Sequence, residues 1–141
     1  MKYFAFLILS CLVVYSCSEN NVLTPGSYPQ KWKLVKMTGS MIPSETTGED
    51  MAWQESYELY TDHTFLKSST RNGQLIEVKG TYTLENTKDR KRIVLTYPSE
   101  NDIIGNCTSE PEEHLYFISN NKLANDWSMC DGPGLEYKRV E

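Results

Sequence analysis

The sequence predicts an all-β protein: an antiparallel up-and-down meander of eight to nine strands that closes into a barrel. Three observations carry this expectation. Apolar residues recur at every second position in short runs rich in Val, Ile, Thr, Tyr and Phe. Turn residues separate one run from the next at short intervals. No stretch of about ten residues or more keeps a 3.6-residue apolar period. Strands joined in a row by short turns hide their apolar face best by curling closed, which also removes the sheet edges.

Ahead of the strands, residues 1–16 read as a lipoprotein signal peptide. Lys2 gives a positive start, and the apolar stretch from Tyr3 to Tyr15 is broken only by Ser10 and Cys11. That is shorter than the roughly 20 residues a bilayer span needs and fits a signal core. Val14-Tyr15-Ser16-Cys17 resembles a bacterial lipobox, so Cys17 is expected to carry the lipid and begin the mature chain. Ile8-Leu9-Ser10-Cys11 has a similar form behind a shorter apolar run, and Cys11 is the alternative. An acylated cysteine bears two or three chains, each buried methylene contributing about 0.8 kcal/mol, so the implied partner is a membrane held through the N-terminus. Ser18-Glu19 resembles the surface-export signal of Bacteroidota-type lipoproteins. The expected location is the cell envelope, as an outer-membrane lipoprotein, with its periplasmic or surface face left open.

Residues 17–30, with Asn20, Asn21 and Pro25-Gly26, read as a flexible tether, and residues 31–141 as the barrel domain. "KWKLVKMT" is the first strand. The polar, turn-rich segment from Gly39 to Ala52 follows as a long loop across one barrel mouth. "SYELY" and "TFLKSSTR" then flank Thr61-Asp62-His63. Asn72-Gly73 marks a tight hairpin, since both residues tolerate positive φ. The clearest strand is "LIEVKGTYTLE", which sets Ile76, Val78, Gly80, Tyr82 and Leu84 on one face. "RKRIVLTYP", "IIGNCTSE", "EHLYFIS", "KLANDWSMC" and "LEYKRVE" complete the series, the last two separated by the Asp131-Gly132-Pro133-Gly134 turn. The inward set is expected to be Tyr57, Leu59, Phe65, Ile76, Val78, Tyr82, Ile93, Leu95, Tyr97, Leu115, Phe117, Leu123, Leu135 and Tyr137.

The formal charge of −5, one unit more negative once Lys2 is removed, gives no electrostatic support for nucleic-acid binding. Arg90-Lys91-Arg92 stands beside Asp89 as a solvated strand entrance. With Cys11 removed and Cys17 acylated, Cys107 and Cys130 remain, and in an oxidising compartment two such cysteines are expected to pair. A metal site and a catalytic thiol are the rival readings, and neither cysteine has a partner at zinc-site spacing.

Asp62-His63 and Glu113-His114 are the acid-histidine pairs in the sequence, and both lie in or beside a turn. Glu110, Glu112 and Glu113 surround Pro111 as a solvated acidic turn, with a partner-binding patch as the lesser reading. No nucleophile elbow, phosphate loop, zinc-protease motif or calcium loop is found. No enzyme activity, cofactor or metal is expected.

Trp32 in "KWKLVKMTGS", the "YELYTDHTFLKS" strand pair, "GTYTLE", "HLYFISNNKL" and "CDGPGLEYKRV" together resemble the lipocalin-like domains of Bacteroidota lipoproteins, small calycin-type barrels. The resemblance implies that Trp32 and Arg139 seal one end of the barrel. It also implies a binding protein that holds a small hydrophobic or amphipathic molecule at the mouth, with Tyr57, Phe65, Tyr82 and Tyr97 as contacts and Trp53 and Trp127 beside them. The alternative is a filled barrel serving as a non-enzymatic interaction module, or an inhibitor, whose loops dock an envelope protein. A cavity of about 300 Å³ favours the first, and a filled interior with an exposed apolar rim the second.

Overall fold

The computed structural model describes residues 28–39 and 44–140. The expected signal peptide, Cys11, Cys17 and most of the tether lie outside the described residues. Nine strands are present among the described residues: β1 (Gln30–Thr38), β2 (Glu45–Thr47), β3 (Gln54–Leu59), β4 (Thr64–Arg71), β5 (Gln74–Asn86), β6 (Lys91–Thr96), β7 (Glu112–Ser119), β8 (Lys122–Asn125) and β9 (Gly134–Val140). Each of β3 to β8 pairs antiparallel with the next, and β1 pairs with both β3 and β9, so eight strands close into a barrel. The short β2 pairs with the end of β1 as an extra strand.

Alternation places the core. Tyr57 and Leu59 on β3, Phe65 on β4, Ile93 and Leu95 on β6, Leu115 on β7, Leu123 on β8 and Leu135 and Tyr137 on β9 are all buried, as their period-2 spacing predicts. In β1 the register slips between Leu34 and Lys36. That bulge inserts one residue against β9 and resets the phase, so Trp32, Leu34 and Met37 all face inward. Asn72 and Gly73 both have positive φ, as expected of the hairpin they form.

Four expectations are corrected. "IIGNCTSE" is not a strand, because its chain crosses the barrel end within the long connection from β6 to β7, residues 97–111. "KLANDWSMC" is a strand only to Asn125, after which Trp127–Cys130 coil into a 3-10 turn. The 39–52 segment carries β2 and a one-turn 3-10 helix, Gly48–Asp50. The barrel starts at Gln30, which pairs with Leu59 and is buried, one residue inside the expected tether.

The strand directions gather Gly39 and the 44–53, 72–73, 97–111 and 126–133 connections at one end, here called the mouth. Gln30 and the 60–63, 87–90 and 120–121 turns lie at the far end. At the mouth, β5 and β6 part company. Gln74 to Thr81 of β5 pair with β4, whereas pairing with β6 begins only at Thr81. Ile76 sits in the inward phase yet is 37 % exposed, because no β6 residue lies beside it. Val78 is half-buried against the core and Tyr82 is buried.

Candidate functional site

The inward phase of three strands carries charge toward the mouth. On β3 the residue two before Tyr57 is Glu55, on β4 the residue two after Phe65 is Lys67, and on β7 the residue two before Leu115 is Glu113. All three are buried, at 4 %, 1 % and 3 % exposure. The Lys67 ammonium donates to the Ile103 carbonyl at 2.5 Å and to Glu113 Oε1 at 2.7 Å, and it forms an ion pair with Glu55 Oε1 at 3.2 Å. Two hydrogen bonds and a second ion pair thus compensate the buried cation.

The carboxylates are equally well supplied. The Tyr57 hydroxyl donates to Glu113 Oε2 at 2.8 Å, and the Tyr97 hydroxyl donates to the same oxygen. The Gly105 N–H reaches Glu113 Oε1 at 2.5 Å. Tyr137 donates to Glu55 Oε1 at 2.6 Å, and Trp53 Nε1 to Glu55 Oε2 at 3.1 Å. Arg71 completes the set, 3.8 Å from Glu55 Oε2, with its guanidinium 4.4 Å above the Trp53 ring and Nη1 donating to the Asp102 carbonyl. Two carboxylates therefore face two cations, and every carboxylate oxygen has at least two partners. Such a cluster meets the condition under which buried charge is tolerated.

The 97–111 connection closes over this network. Its Ile103 carbonyl and Gly105 N–H are the groups that Lys67 and Glu113 hold. The Cys107–Cys130 disulfide, with Cα atoms 5.5 Å apart, ties it to the 3-10 turn at Trp127. The Trp127 ring lies against Gly105 and Gly132, where a methyl at Gly105 would stand 2.6 Å from it. Glycine is required at both places by that close approach.

Burial first, then Glu113, pushes the Tyr57 and Tyr97 phenols well above their usual range, and burial followed by Glu55 does the same for Tyr137. In the unfolded chain a tyrosine ionises near pH 10. Above that value the unfolded chain binds fewer protons than the native one, so stability is full below about pH 10 and falls as pH rises. The urea midpoint is expected to drop steeply between about pH 10 and 11.5, with tyrosinate absorbance from these three residues emerging only as the fold is lost. A midpoint that stays level over that range would mean the hydroxyls are not held as buried donors.

The sequence-derived residues fall into separate groups. Tyr57 and Tyr97 belong to the network. Phe65 packs beneath them, its ring centroid 5.0 Å from that of Tyr97. Tyr82 lies toward the far end and donates to the Tyr60 carbonyl at 2.8 Å. Trp53 and Trp127 are partly buried at the mouth. Trp32 and Arg139 are direct cross-strand partners on β1 and β9 at the far end, where Trp32 meets Phe117 edge-on. Glu113 is corrected from a solvated turn residue to a buried anion, since it continues the inward phase of Leu115. His114 therefore faces outward, and its acid partner is Asp126 at 3.1 Å. The Asp62 carboxylate caps Thr64 instead of orienting His63.

Sequence reasoning missed Glu55, Lys67 and Glu113 as a set. The available signal was their phase: each is a charged residue two positions from an inward aromatic or aliphatic one.

A groove of about 730 Å³ lies at the far end, lined by Tyr28, Pro29, Gln30, Lys31, Asn121, Arg139 and Val140. The Gln30 side-chain amide is buried there without a hydrogen-bond partner among the described residues, and the buried Trp32 indole nitrogen likewise has none among them. Comparison with known protein families, with curated proteins and with solved structures finds no match.

Proposed function

We propose that this chain is a non-enzymatic interaction module of the cell envelope, a lipocalin-like barrel anchored through a lipidated Cys17, that docks an envelope protein through its mouth-end connections. The observation that carries this reading is the occupied interior. Tyr57, Phe65, Tyr82 and Tyr97 are each 3 % exposed or less, and the mouth half of the barrel is filled by mutually satisfied charges. An apolar guest there would have to displace ion pairs and leave buried charges unpaired. The rim supplies apolar contact instead: Met129 on the 3-10 turn is 73 % exposed and Leu75 at the hairpin tip 63 %.

A photocrosslinking residue at Met129, in the full chain expressed in its host, is expected to give one discrete adduct with an envelope protein, and the same residue at Glu85 on the far end none. Equal labelling at both positions would remove the docking reading.

A second reading, the binding of a small amphipathic molecule, is supported by the far-end groove and by the Gln30 amide, which has no partner among the described residues, since an uncompensated buried amide costs about 1–3 kcal/mol. Native mass spectrometry of protein recovered from its host distinguishes the two. A stoichiometric bound molecule lost in Gln30→Leu would favour the carrier.

A further inference from the structure

The eight-strand ring is complete at its seam but not at its mouth, where Gln74 to Gly80 of β5 pair with β4 on one side and with no described strand on the other. An edge of this kind presents backbone donors and acceptors in a row and is a template for another strand. Its side chains then decide which strand fits. Glu77 and Lys79 point outward, two residues apart and opposite in sign. Glu77 accepts from the Ser68 hydroxyl at 2.9 Å, and Lys79 forms no ion pair among the described residues. Ile76 and Val78 point inward and remain partly uncovered.

We propose that this edge docks a second copy of the chain, the two β5 strands lying antiparallel about a two-fold axis through Val78. In that register Val78 faces its own counterpart and Glu77 faces Lys79 of the other copy twice over, and the ladder ends at Gly80, where the Thr96 carbonyl and the Phe65 ring already crowd the strand. Neighbouring registers are worse. An axis through Glu77 sets like charges opposite one another, and an axis through Ile76 sets Leu75 against Glu77. The ladder is bounded as well, because Thr81 already pairs with Thr96 of β6. Charged residues on an open edge deter indiscriminate pairing. Here their alternating sign makes the edge complementary to itself, the condition for an isologous interface.

Val78→Cys in the full chain is expected to form a disulfide-linked dimer in its host, seen on a non-reducing gel. Ile76→Cys, whose counterpart lies four residues further along the ladder, is expected to form none. Independently, sedimentation of the full chain should show a concentration-dependent dimer. Glu77→Lys should weaken it about tenfold, and the swapped pair Glu77→Lys with Lys79→Glu should restore it. A monomer at all concentrations, crosslinking of Val78→Cys to a different protein, or a swap that fails to restore association would overturn the proposal. None of these outcomes depends on whether the mouth connections dock an envelope protein.

Discussion

Replacing Lys67 by Met is expected to lower the stability of the fold by about 3–5 kcal/mol, read as a fall in urea midpoint at unchanged m-value. The loss comes less from the ammonium than from what it leaves behind. Glu55 and Glu113 would remain buried, with Arg71 at 3.8 Å from one of them as the nearest remaining positive charge. The Ile103 carbonyl, held by Lys67 Nζ, would lose its donor too. Adding Glu113→Gln removes one of the stranded charges and keeps an oxygen for Tyr57 and Tyr97. The double variant should therefore be more stable than the sum of the two singles by about 1–3 kcal/mol. Strict additivity would mean that the lysine and the glutamate do not act as a pair.

Serine at both Cys107 and Cys130 is expected to cost about 3 kcal/mol, the loop-closure entropy released to the unfolded chain by a bridge across 23 positions. A local consequence should precede the global one. Once untied, the 97–111 connection is held over the network mainly by Lys67 at Ile103, Glu113 at Gly105 and Arg71 at Asp102. Amide exchange at Gly105 should then proceed through a local opening well below the global unfolding energy, while the Leu95 and Leu115 amides still report the whole fold. Both cysteines are exposed residues, so a mild reductant should reproduce the effect in the unaltered chain. Unchanged exchange at Gly105 after reduction would show that the network alone fixes the connection.

The barrel was legible because its signal is periodic. Ile93-Leu95-Tyr97 and Tyr57-Leu59 repeat at two, and burial follows that phase with little local exception. The same phase also pointed at Glu55, Lys67 and Glu113, but residue type argued against it. A charged side chain reads as solvated until its partners are known, and these partners lie 46 and 12 positions from Lys67 in the chain. Proximity across a barrel is not written in local sequence. "IIGNCTSE" failed for the opposite reason: Ile103 is buried, as a strand residue would be, but as part of a crossing connection. The uncovered end of β5 was invisible as well, since β-strand sequences of unequal length do not say which residues of the longer one go unpaired.

The seam between β1 and β9 bears on how the molecule comes into being. Trp32 and Arg139 sit directly opposite one another, although roughly a hundred residues separate them along the chain. A polypeptide emerging from its N-terminus can form hairpins from β3 onward as each appears, but the first strand must wait for the last before the ring has no ends. Closure is thus the long-range, entropically slow event. Until then Trp32, Leu34 and Tyr137 have no shared interior, which makes the nascent protein most vulnerable to capture by other surfaces just before synthesis is complete.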